Sequence, residues 1–65
     1  MNIDKMINML LIKLSKHYDI FYMEKRNYKK DKIYKTYMVN IDELKEEFRN
    51  KRELLIYLSG FKEGI

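Results

Sequence analysis

The 65-residue sequence has no cysteine, proline, tryptophan, alanine or glutamine, and only two glycines and one histidine. Without cysteine, the chain can form neither a disulfide nor a cysteine-based zinc site, and a reducing cytoplasm is the expected compartment. The single histidine, His17, excludes a histidine-pair metal site, and no acidic calcium-loop motif is present. We therefore expect no metal or other cofactor.

No apolar run in the sequence is long enough to cross a membrane. The longest, from Met6 to Leu14, is interrupted by Asn8 and Lys13, whereas a spanning helix needs about 20 apolar residues. Asp4 precedes this run and no small-residue cleavage site follows it, which argues against a signal peptide. The sequence therefore predicts a soluble cytoplasmic protein that has no membrane partner.

Catalytic signatures are also missing. The chain has no glycine-rich phosphate loop and no nucleophile with an identifiable base, and Ser15 lies on a different face of the predicted helix from His17. His17 falls in the last turn of that helix, where a protonated ring suits the helix dipole, so helix capping or a place at the edge of the core is preferred to catalysis. We expect no enzymatic activity, because so short a chain also has little room to shape a closed pocket.

A chain of this length predicts one domain, covering residues 1–65. Such a domain buries only about 60% of its unfolded surface. Without disulfides or a structural metal it is only marginally stable unless it oligomerises. Phe, Tyr, Met, Ile, Asn and Lys make up 38 of the 65 residues, and their codons are AT-rich. This coding bias points to a low-GC bacterium, its phage or another mobile element.

The first helix is predicted over residues 3–17. Asn2 is a suitable N-cap, and Asp4 puts a negative charge in the first turn, where the helix dipole favours it. Met9 and Ile12 fall on the back of the helix; they are either scattered surface residues or a second contact face. The apolar stripe at helical spacing comprises Ile3, Met6, Ile7, Leu10, Leu11, Leu14 and Tyr18.

Two β-branched and aromatic runs then predict an antiparallel hairpin. They are Ile20–Met23 and Ile33–Val39, with the polar stretch Lys29–Lys32 between them. Since the loop has no glycine, a longer connection than a two-residue turn is expected. With Lys30 and Asp31 at the tip, the alternation of side chains along each strand assigns every residue to one of the two faces of the hairpin. One face carries Ile20, Tyr22, Tyr28, Ile33, Tyr37 and Val39; the other carries Phe21, Met23, Tyr34 and Met38.

A second helix is predicted over residues 41–59. Asn40 followed by Glu43 matches a capping box, and Val39 with Leu44 fits the accompanying hydrophobic staple. One helical face then carries Ile41, Leu44, Phe48, Leu55 and Leu58.

The limits of this helix leave an alternative open. Asn50 followed by Glu53 repeats the capping pattern, so two shorter helices with a break at Asn50 are possible; one helix is preferred, because no glycine or proline interrupts it. Gly60 suits the residue after the helix, with Phe61 packing back on Ile56, and residues 62–65 are expected to fray.

The predicted fold is α+β: a small α-β-β-α domain with two helices packed on an antiparallel β-hairpin. A lone two-stranded ribbon is marginal in water, and its second face would stay bare. Association of two copies is the simplest remedy, through the ribbons or the first helix, although a partner protein would cover the same surface. The predicted oligomer interface comprises Met9, Ile12, Phe21, Met23 and Met38.

All of the formal net charge of +4 lies between Glu24 and Lys35, where six basic residues face two acidic ones. Lysine and arginine neutralise phosphates, and interleaved tyrosines stack on bases. The alternative is a merely solvated loop, because AT-rich codons yield lysine and charged tips protect sheet edges. The candidate binding residues are Lys25, Arg26, Tyr28, Lys29, Lys30, Lys32, Tyr34 and Lys35.

Two functional hypotheses follow from this segment. The first is a small non-enzymatic binding protein, encoded by a phage or other mobile element, that acts stoichiometrically on a host protein or nucleoprotein complex. Such a protein would be an anti-defence or anti-CRISPR-like inhibitor of machinery that handles nucleic acid, and exposed tyrosine and arginine often anchor such interfaces. The second is a dimeric DNA- or RNA-binding regulator that contacts phosphates with the same hairpin.

Overall fold

The computed structural model describes residues 2–64. The three strands form one antiparallel sheet in the order β1-β2-β3, so each strand pairs with its neighbour in the sequence. The α+β class is confirmed, whereas the predicted α-β-β-α order is corrected to α-β-β-β-α. The elements are α1 (Ile3–Leu14), β1 (Ile20–Lys29), β2 (Lys32–Ile41), β3 (Leu44–Phe48) and α2 (Lys51–Glu63).

Helix α1 begins where the sequence predicts and ends three residues earlier, since residues 15–17 form a turn. The side chain of Asn2 accepts a hydrogen bond from the N–H of Lys5 (2.8 Å), which satisfies a free donor of the first turn. Met9 and Ile12 lie on the exposed side, as predicted. The fully buried side chains of the helix are Ile7 and Leu14.

Strands β1 and β2 form the predicted hairpin, but its loop is tighter than expected. Lys29 pairs with Lys32, so only Lys30 and Asp31 make the turn. Lys30 adopts the left-handed conformation (φ 54°) that glycine usually provides at such positions. The register confirms the predicted division into two faces, as in the pairs Tyr22–Val39 and Met23–Met38.

The prediction that a helix starts at residue 41 is wrong, because this segment forms a second hairpin with β2. Ile41 pairs with Leu44, and Asp42 and Glu43 make a two-residue turn in which Asp42 is left-handed (φ 53°). Asp42 is held by Asp19: its N–H donates to the Asp19 carbonyl (2.8 Å), and its carboxylate accepts from the Asp19 N–H (2.9 Å). These contacts between distant residues favour a strand over the locally encoded helix.

Helix α2 uses the second of the two candidate caps. The side chain of Asn50, and not that of Asn40, accepts a hydrogen bond from a first-turn N–H, that of Glu53 (2.9 Å). The helix then continues to Glu63, four residues beyond its predicted end. Part of the predicted frayed tail is therefore helical, and Ile65 lies outside the described residues.

Aromatic packing explains why α2 passes through Gly60. Glycine inside a helix costs about 1 kcal/mol relative to alanine. Phe61 offsets this cost, because its ring packs edge-on against Tyr18 and against Tyr57, with ring centroids 5.7 and 5.1 Å away. Ile56, on which Phe61 was predicted to pack, is largely exposed.

Both helices pack on the same face of the sheet and run parallel to each other. Lys51 donates a hydrogen bond to Asp4 between the two first turns, while Tyr18 meets Phe61 at the opposite ends. No element of residues 2–64 covers the other face, which we call the open face. Neither helix in this range is long and apolar enough to span a membrane. The core consists of Ile7, Leu14, Val39, Ile41, Leu54 and Leu58.

Candidate binding surface

The outer half of the first hairpin extends beyond the rest of the sheet. Strand β3 pairs with β2 only from Tyr37 to Ile41, so residues 25–36 form a two-stranded ribbon, which we call the arm. At about 3.4 Å per residue, its strands project roughly 17 Å. The molecule is accordingly long and thin, with dimensions of 42 × 30 × 15 Å.

All eight predicted binding residues lie in the arm, but they point in different directions. The arm therefore presents charge and aromatic surface on both sides and not as one flat patch. The side that continues the helix-covered face carries Arg26, Tyr28 and Lys35. The side that continues the open face carries Lys25, Lys29, Lys32 and Tyr34, and Lys30 is in the turn.

Most of the positive charge on the arm is not neutralised. Lys25 pairs with Glu47 (Nζ to Oε1, 3.3 Å), and Lys35 lies 4.0 Å from Glu24. Exposed pairs of this kind contribute at most about 1 kcal/mol. Within the arm, the basic residues that form no ion pair with any described residue are Arg26, Lys29, Lys30 and Lys32.

Aromatic and apolar side chains alternate with these charges. Tyr28 is 74% exposed, and Tyr34 on the opposite side is 46% exposed. Ile33 is the cross-strand partner of Tyr28 and lies on the same side of the sheet as the core residues of β2. It is nevertheless largely exposed, because the helices do not reach the arm. These side chains are available for contact with a partner.

A hydrogen-bonded network fastens the base of the arm to β3. Thr36, only 6% exposed, accepts from Nδ2 of Asn27 and donates to Oε2 of Glu47, both at 2.9 Å. Hydrogen bonds from Thr36 and then from Lys25 hold the pKa of the Glu47 carboxyl below its ordinary value. The sequence does not predict this network, because Glu47 falls within the predicted second helix.

A cleft of about 570 Å³ lies between the arm and the end of β3. We call this cleft the notch. Arg49 was not among the predicted binding residues, because a helix would have placed it on a solvated face; in the fold it lies beside the arm, since β3 ends one residue earlier. The notch is lined by Lys29, Tyr34, Lys35, Thr36, Glu47, Phe48 and Arg49.

The residues predicted for an oligomer interface fall on two separate surfaces. Met9 and Ile12 lie on the outer side of α1, where both are exposed. On the open face, Phe21 and Met23 are exposed, but Met38 is only 6% exposed because it occupies the central strand. Met38 therefore offers little surface to a second copy.

The single histidine, His17, lies in the exposed turn after α1. Among residues 2–64, no three His, Asp or Glu side chains are grouped to hold a metal ion. Comparison with protein-family models, curated proteins and solved structures finds no match. The functional interpretation therefore depends on the surfaces of this chain alone.

Proposed function

We propose that this protein is a small non-enzymatic binding protein that acts stoichiometrically on a nucleic-acid-handling complex of a host cell, with the arm as its docking element. The AT-rich coding bias favours a phage or another mobile element as its source. An anti-defence or anti-CRISPR-like inhibitor fits this combination. The proposal is carried by one observation: basic side chains without acidic partners and two exposed tyrosines coincide on a projecting ribbon.

Direct binding of nucleic acid by a dimer is the second candidate. It is favoured by the two-stranded form of the arm, because the major groove of B-DNA, about 12 Å wide, admits a two-stranded β-ribbon. Each lysine or arginine that reaches a phosphate would then add to affinity and make it depend on salt.

A pull-down with the tagged protein from a low-GC bacterial lysate, with and without nuclease, separates the two candidates. A protein recovered in a fixed ratio after nuclease treatment supports the first. Recovery that disappears with nuclease supports the second. If neither protein nor nucleic acid is retained in a fixed ratio, both candidates are wrong.

A further inference from the structure

Strand β2 has an unpaired backbone edge along the arm. Strand β3 covers only residues 37–41 of it. The N–H of Asp42 bonds to Asp19 on the β1 side, and in an antiparallel ladder successive residues face opposite neighbours. The backbone N–H and C=O groups of the even-numbered residues of β2 therefore point toward β1, and those of the odd-numbered residues point away from β1. The N–H and C=O groups of Ile33 and Lys35 consequently project outward beyond β3, where no described strand lies beside them.

The notch lies at the inner end of this edge, beside Lys35, and gives it a positive character. Its one acidic side chain, Glu47, already accepts hydrogen bonds from Thr36 and Lys25. The result is a positively charged groove beside free strand backbone, with aromatic walls. The positively charged lining consists of Lys29, Lys35 and Arg49, and the aromatic lining of Tyr34 and Phe48.

We propose that the notch binds an extended acidic segment of a partner protein, which pairs with the backbone of Ile33 and Lys35 and continues the line of β3. This rests on the proposed function as a protein binder and specifies the partner. A peptide supplies donors and acceptors at strand spacing, about 3.3 Å per residue, and so satisfies both N–H and C=O groups. A phosphodiester chain supplies acceptors only. The edge therefore fits a protein segment better than a nucleic acid.

Charge also selects against a second copy of this chain at the same edge. Pairing two β2 edges would bring the lysine-rich arms of both copies side by side, and like charges on neighbouring strands destabilise a ladder. Lysines on exposed strands commonly prevent edge-to-edge association for this reason. An acidic strand turns the repulsion into attraction, so the same lysines exclude self-pairing and admit the partner.

Amide hydrogen exchange of the full chain, measured by NMR, tests the proposal. The probe is a synthetic heptapeptide of alternating glutamate and valine, and its charge-reversed control alternates lysine and valine. At saturation with the glutamate peptide, the amides of Ile33 and Lys35 should exchange about tenfold more slowly, because each gains a hydrogen-bonded partner. The amide of Tyr34, which faces β1, should not change.

Backbone pairing is distinguished from simple charge attraction by N-methylated probes. One form of the glutamate peptide is methylated at every valine nitrogen and the other at every glutamate nitrogen. An extended chain presents alternate N–H groups to opposite sides, so at least one form should lose the protection. Protection retained with both forms would show a purely electrostatic contact and overturn the proposal.

Arg49→Gln tests the lining of the notch, with Arg52→Gln as the matched control outside it. The first change should weaken binding of the glutamate peptide about three- to fivefold, the effect of one exposed charge pair; the second should leave binding unchanged. Because the peptide is synthetic, its failure to bind the notch would not exclude recovery of a target in the lysate pull-down. Likewise, a failed pull-down would not exclude binding of the peptide. The proposal is also wrong if Ile33 and Lys35 stay unprotected, or if the lysine peptide or duplex DNA protects them equally.

Discussion

At the scale of single residues, the hydroxyl of Thr36 links all three strands through side chains. It accepts from Asn27 in β1 and donates to Glu47 in β3. Thr36→Val keeps the shape and β-branching of the side chain but removes the hydroxyl that accepts from Asn27 Nδ2 and donates to Glu47 Oε2. We expect the free energy of unfolding to fall by about 1–2 kcal/mol. Urea denaturation should show a lower midpoint with an unchanged slope.

The pH dependence of stability separates this hydrogen bond from packing. Because the pKa of Glu47 is lowered on folding, its carboxylate contributes stability above its ordinary pKa of 4.5, and this is lost as the pH falls through the lower folded-state pKa. The hydrogen bond from Thr36 is the main cause of the lowering. Thr36→Val should therefore make stability fall less steeply below pH 4.5. If the free energy of unfolding of the variant falls below pH 4.5 as steeply as that of the wild type, the hydroxyl does not stabilise this carboxylate.

At the scale of elements, the two hairpin turns share a left-handed residue but differ in what holds it. Asp42 is bonded to Asp19 through both its backbone and its side chain, whereas Lys30 makes no side-chain hydrogen bond within residues 2–64. The left-handed conformation costs a non-glycine residue about 1 kcal/mol or more. Lys30→Gly should raise the free energy of unfolding by about 0.5 kcal/mol, after allowance for the more flexible unfolded chain.

Asp42→Gly, in the second turn, is the matched comparison for Lys30→Gly. It relieves the same backbone conformation but removes the carboxylate that caps Asp19, so it should lower the free energy of unfolding. Thermal unfolding of the two glycine variants measures the contrast. A rise in stability for both variants would mean that the carboxylate of Asp42 contributes little.

Locally encoded elements could be predicted from the sequence. An N-cap followed by a helical period defines most of α1, and alternation of side chains defines the first hairpin and its faces. Strand β3 could not be predicted, because Leu44 and Phe48 are four residues apart and fit a helix as well as a strand. Pairing with β2 decides the matter, together with side-chain contacts to residues 11 to 23 positions away.

The candidate site divides in the same way. Its charges and tyrosines form a continuous stretch of sequence, so all eight residues could be identified before the fold was known. Thr36 and Arg49 join the site only because β3 ends beside the base of the arm. Their contribution depends on contacts between distant segments, which no local pattern in the sequence encodes.

At the scale of the whole molecule, a sheet covered on one side leaves apolar surface exposed, which favours a homodimer. Light scattering at micromolar concentration should give twice the chain mass of 8.1 kDa. Phe21→Ser and Ile12→Ser distinguish the two exposed surfaces, since only the change in the true interface should produce monomers. A monomeric wild type would contradict the dimer and leave these surfaces to a different partner.

Recovery of the target by two triple variants tests the role of the arm most directly. One variant changes Lys29, Lys30 and Lys32 to serine; the control changes Lys5, Lys13 and Lys16, which are also exposed. Both lose the same charge, and neither should lose much stability, because substitutions of solvated side chains usually have small effects.

We predict that the arm variant recovers far less target than the wild type, while the control recovers nearly as much. If the target is duplex DNA, the slope of log affinity against log salt should also fall by nearly three units in the arm variant, at roughly 0.9 per phosphate contact. Full recovery of the target by the arm variant would contradict the proposed role of the arm.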